Sequence, residues 1–165
     1  MVRIAAAGLA MAVLAGCATS SGADKPVAKA DTIRFSAGPC FGVCPVYSVT
    51  VDPKGSGVLI PQKNTAVPGE TRFAVTPLQY KRLRDAFAPF RPVTGKEKRI
   101  AQGENCERAA TDMPGYTILW TRAGQDKTVL NFYSGCFDPR YAKLRAAVQS
   151  VPKILDIEKM LKAGK

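Results

Sequence analysis

The chain has 165 residues, 46% of them hydrophobic and 22% charged, with 14 glycines and 12 prolines, which excludes a disordered tail protein or a collagen-like repeat. Histidine is absent, and with it go Ser-His-Asp triads, Cys-His pairs, imidazole bases and imidazole metal ligands. Lys+Arg 24 against Asp+Glu 13 leaves a formal charge of +11, a field that attracts polyanions.

Arg3 precedes an uncharged apolar run from Ile4 to Leu14, the pattern of a secretory signal and too short to span a bilayer as a mature helix. The run ends in Leu14-Ala15-Gly16-Cys17, which resembles the lipobox of bacterial lipoproteins. The resemblance implies cleavage after Gly16 and a diacylglyceryl group on the Cys17 sulfur. Acyl chains contribute about 0.8 kcal/mol per buried methylene, so two or three of them moor a folded domain durably to a membrane. Ala18, rather than Asp, follows the cysteine, which by the same resemblance favours the outer membrane facing the periplasm. Residues 17–30 are small and polar without apolar periodicity and read as a flexible linker. The expected organisation is therefore a signal peptide over 1–16, a linker over 17–30 and one domain over 31–165.

Within the domain, Ile33–Phe35 is a short strand. Residues 47–51 alternate with period two, placing Tyr47, Val49 and Val51 on one face. Asp52-Pro53-Lys54-Gly55 supplies turn chemistry, and strands over 57–60 and 71–75 follow. Thr76-Pro77-Leu78-Gln79 has the residues of a capped helix start, with Leu83, Ala86, Phe87 and Phe90 as its apolar stripe and Pro92 as its stop. Residues 93–112 are polar and without period, and read as a long loop. Strands over 116–120 and 127–133 flank a turn at 122–126. Asp138-Pro139 then opens a second helix with the stripe Tyr141, Leu144, Val148 and Val151; Pro152 breaks it and starts a short final helix. Hairpin followed by helix thus occurs twice, with Tyr47 and Tyr116, and Pro77 and Pro139, at corresponding places. The fold class expected is α+β: one antiparallel sheet built from hairpins, with two to three helices packed on one face.

Beyond Cys17, the cysteines are Cys40, Cys44, Cys106 and Cys136, an even number suited to two disulfides in an oxidising compartment. Spacing alone leaves three connectivities open. The position of Cys106 in the segment leading into the second hairpin, and of Cys136 at that hairpin's close, favours Cys106–Cys136 with Cys40–Cys44. Three readings of the Cys40–Cys44 pair compete. A structural clip is the usual role of disulfides in exported domains. A redox pair is the rival, although the cysteines are separated by three residues rather than the two of thioredoxin-type sites. A four-thiolate metal site lacks knuckle spacing.

Cys40-x-Gly42-x-Cys44-Pro45-x-Tyr47, with Thr111-Asp112 ahead of a later hairpin, resembles the bacterial domain of unknown function numbered 6438 over about residues 31–150. The resemblance implies an exported or lipid-anchored α+β domain with this cysteine turn, and implies no activity.

Other motifs carry little. Ser150-Val151-Pro152-Lys153 matches Ser-x-x-Lys, but Pro152 interrupts it and no Lys-Thr-Gly follows. Phosphate-binding glycine loops are absent, nothing points to a carboxylate pair, and Asp112 alone among the element-end carboxylates lacks a local task. Trp120 and Tyr133 alternate within strands and read as core or sheet-face residues. No catalytic, cofactor or metal residues are therefore expected. The function expected is a lipid-anchored binding or structural module of the cell envelope, with a thiol-disulfide protein using Cys40 and Cys44 as the alternative. Its partners would be the membrane, through the anchor, and an anionic envelope polymer or envelope protein met through Arg91, Lys96, Lys98 and Arg99. Nucleic acid is not expected, because no RNA-binding signature or zinc-finger spacing accompanies the charge.

Overall fold

The computed structural model describes residues 30–122 and 127–162. They form a mostly antiparallel eight-stranded sheet with three helices, broadly α+β. The strands are β1 (Thr32–Ala37), β2 (Val46–Val51), β3 (Ser56–Lys63), β4 (Thr71–Ala74), β5 (Glu97–Gln102), β6 (Asn105–Cys106), β7 (Gly115–Thr121) and β8 (Thr128–Tyr133). Their order across the sheet is β4-β3-β2-β1-β7-β8-β5-β6. The helices are α1 (Pro77–Phe87), α2 (Ala142–Ile154) and α3 (Glu158–Leu161).

Local chemistry accounts for the β2–β3 turn and the start of α1. Asp52 Oδ1 accepts from the backbone N–H groups of Lys54 and Ser56, and Gly55 takes φ +97°, closing the β2–β3 turn. The α1 start is a full capping box: Gln79 N–H donates to the Thr76 hydroxyl oxygen (3.2 Å), and Thr76 N–H donates to Gln79 Oε1 (2.8 Å).

Period-two patterning then sorts the sheet into two faces. Ile33, Phe35 and Ala37 of β1 lie opposite Val51, Val49 and Tyr47 on one side and Trp120, Ile118 and Tyr116 on the other. Leu59, Ile100, Leu130 and Phe132 continue that apolar face, and the buried residues of α1 and α2 join the same core cluster. Phe87 of α1 stacks on Phe35, with ring centres 6.1 Å apart. The corresponding tyrosines of the two hairpins, Tyr47 and Tyr116, thus flank Ala37 from either side.

Three expectations are corrected. Residues 93–112 are not a loop throughout, since β5 and β6 lie within them. The sheet is not wholly antiparallel, because β5 runs parallel to both β8 and β6. Pro152 does not end the second helix; α2 continues to Ile154 and is capped at Leu155. Proline removes one N–H and crowds one carbonyl, and with a single turn left that loss falls close to a helix end. The turn at 122–126 lies largely outside the described residues. None of the helices among the described residues is long and apolar enough to cross a membrane.

Candidate functional site

The four domain cysteines are paired as Cys40–Cys44 and Cys106–Cys136, with Cα atoms 5.8 and 6.1 Å apart. Cys17 lies outside the described residues. The first pair closes a small ring in the connection between β1 and β2, with Gly42 at φ +116°. Phe41 N–H donates to the Asp112 carbonyl (3.0 Å), and Asn64 Nδ2 donates to the Cys44 carbonyl (3.1 Å), so the ring is held from both sides. Asp112 therefore has a task after all, carried by its backbone at φ +66°. Phe41 and Val43 stand outward, 88% and 79% exposed. Beside them a groove of about 560 Å³ runs between Pro45, Asn64, Pro152, Leu161 and Lys162. Tyr47 and Tyr116 lie deeper, and burial pushes both phenol pKa values above the ordinary value of 10.0.

The second disulfide is enclosed. Cys106 and Cys136 are buried, an isolated bridge joins Ala109 to Cys136, and Arg145 donates to the Cys136 carbonyl. The Tyr141 hydroxyl donates to the neighbouring Asn105 carbonyl (2.9 Å). This bond pins the strap after β5 to the start of α2.

On the face of the sheet opposite the core, Ser48, Ser36, Thr117, Asn131 and Arg99 align in one row across β2, β1, β7, β8 and β5. The Thr117 hydroxyl donates to Asn131 Oδ1 (2.7 Å), whose Nδ2 donates to Glu97 (2.7 Å), which fixes both side chains. A concavity of about 550 Å³ opens here, floored by Gly38 and Gly115 and walled by Gln62, Arg99, Asn131 and Tyr133. Tyr133 is half-buried in this wall, and Trp120 is in the core, as sheet-face and core residues.

The basic residues of 91–99 do not make one patch. Arg91 is drawn inward to Asp31 (2.7 Å), which also receives Arg122 (3.0 Å), and the Arg91 guanidinium lies 5.6 Å from the Trp120 ring centre. The Tyr80 hydroxyl donates to the Asp31 carbonyl (2.6 Å). Lys96, Lys98 and Arg99 remain exposed, with Arg99 loosely paired to Glu104 at 3.7 Å. The Asp31 cluster and the glycine floor were not foreseen from the sequence. Their members are far apart along the chain, and no motif marks them. Among the described residues no group of acidic or cysteine side chains is arranged to hold a metal ion.

A family model described as a domain of unknown function (DUF6438) matches residues 31–155. The chain belongs to this family. The DUF6438 segment begins at the buried Asp31 and contains both disulfides and the whole concavity, while α3 lies beyond it. No curated protein and no solved structure matches the chain.

Proposed function

We propose that this DUF6438 protein is a lipid-anchored binding module of the bacterial cell envelope, held through Cys17 at the outer membrane and facing the periplasm. The apolar face of its sheet carries the core, with Phe87 of α1 on Phe35 and Tyr141, just ahead of α2, on Phe132, and the opposite face does the binding. The observation that carries the binding reading is the concavity of about 550 Å³ on that polar face, of a size usual for small-ligand sites. The sequence around Leu14-Ala15-Gly16-Cys17 supports the anchor, and two formed disulfides suit an oxidising compartment. Growth with an alkyne fatty acid tests the anchor. The label is expected on the wild-type chain in the membrane fraction and is expected to vanish in Cys17→Ala; an unlabelled wild-type chain overturns the reading.

A thiol-disulfide role is the second reading, favoured by the position of the Cys40–Cys44 ring at the surface, where its own Phe41 and Val43 are exposed. Equilibration with glutathione buffers separates the two. A bond that persists at envelope potentials is a clip, and one that cycles reversibly is a redox pair.

A further inference from the structure

Gly115 is a strand glycine that the fold does not require. Gly55 is needed for its φ of +97°, and a β-carbon at Gly57 would lie 2.5 Å from the Phe73 ring. At Gly115 the backbone is outside the left-handed region, and a β-carbon would meet no atom within 4 Å. Glycine weakens a strand through backbone entropy and lost packing, so folding alone favours a side chain at this position. What the missing side chain provides is room. Its register partner on β8 is Tyr133, and Gly38 N–H, just past β1, donates to the Gly115 carbonyl (2.8 Å). Two bare backbone positions therefore lie side by side at the bottom of the concavity.

We propose that this floor seats a sugar unit carrying an acidic group. The claim deepens the binding-module reading and rests on it. A floor without side chains lets one face of a pyranose ring approach the backbone closely. The walls offer the amides of Gln62 and Asn131, the hydroxyls of Ser36 and Thr117 and the ring of Tyr133, groups that pair with sugar hydroxyls and pack on a sugar face. Asn131 and Thr117 are already fixed by the chain of hydrogen bonds to Glu97, so little side-chain ordering remains to be done on binding. Arg99 supplies a planar cation at one edge for a carboxylate or phosphate, its loose contact with Glu104 being readily exchanged.

The test uses the full lipidated chain in detergent micelles, titrated calorimetrically with three probes. These are tetragalacturonate, neutral maltotetraose and a bis-phosphorylated glucosamine disaccharide. At least one acidic sugar is expected to bind about tenfold or more tighter than the neutral one, and the pair distinguishes carboxylate from phosphate recognition. Gly115→Leu is expected to keep the wild-type melting temperature and lose that binding, while Arg99→Gln is expected to bring acidic and neutral sugars to similar affinities. Gly115→Ala, adding one methyl, is the milder variant and is expected to melt no lower than wild type while binding more weakly. The proposal is overturned if neither acidic sugar binds, if the neutral sugar binds equally well, or if the Gly115 variants bind like wild type. Those results leave the alkyne label on Cys17 unaffected, so failure of the sugar site is separable from failure of the anchored-module reading.

Discussion

Asp31 ties the start of the domain to segments far along the chain. Only 7% exposed, it takes two arginines from different connections, and its carbonyl accepts from the Tyr80 hydroxyl. Removing one partner from such a cluster strands the others, because half-buried guanidinium groups lose their counter-charge without regaining full hydration. Asp31→Ala is expected to lower stability by about 2–3 kcal/mol, read as a shift of the urea midpoint at unchanged slope. The tyrosines give a second residue-scale expectation. Burial raises the folded-state pKa of Tyr47, Tyr80 and Tyr116 above 10.0, so the folded chain keeps phenols neutral that the unfolded chain ionises. Their contribution is complete below pH 10 and declines as pH rises above it. Urea midpoints from pH 8 to 11 are expected to fall at the alkaline end, and to fall less in Tyr47→Phe. At this scale the sequence was legible where chemistry is local, as in the Thr76–Gln79 cap and the Asp52 turn. Asp31 was not legible, since nothing near it in the chain announces Arg91 or Arg122.

The two disulfides differ as elements of the fold. A bond spanning a sequence separation of 30 restricts the unfolded chain more than one spanning 4, by about 4 against about 2 kcal/mol on the chain-entropy account. The double variant Cys106→Ser/Cys136→Ser is expected to lose about twice the stability of Cys40→Ser/Cys44→Ser, measured by chemical denaturation without thiols. The strands with clean alternation, β2, β7 and β8, were readable in advance, as was the start of α1; Asp138-Pro139 opens a 3-10 turn over Pro139–Tyr141 instead, and α2 follows from Ala142. β5 was not, because Ile100 is its only buried residue and its pairing with β8 is specified across the chain rather than locally. The extent of α2 was not legible for a related reason. Pro152 forbids one hydrogen bond, but Ile157 N–H donates to its carbonyl (3.0 Å) and the chain stays in its helical path to Ile154. The candidate site was the least legible part. A concavity assembled from β1, β2, β3, β5, β7 and β8 has no sequence signature, and one unneeded glycine is a faint mark.

For the whole molecule, the formal charge of +11 is not a single surface property. Arg91 belongs to the interior cluster, whereas Lys96, Lys98 and Arg99 face solvent. Arg91→Glu is expected to depress the melting temperature through repulsion from Asp31. The triple change Lys96→Glu/Lys98→Glu/Arg99→Glu is expected to leave melting near wild type and to abolish retention on an anionic polysaccharide column at low salt. Equal retention of the triple variant would locate polyanion attraction elsewhere. The placement of β1 has a mechanical consequence. The first strand of the described domain is also an inner one, bonded along its length to β2 and β7, with the Asp31 ion pairs just ahead of it. Traction applied through the chain before Ala30 therefore loads two ladders in shear, all rungs together, instead of unzipping an edge one rung at a time.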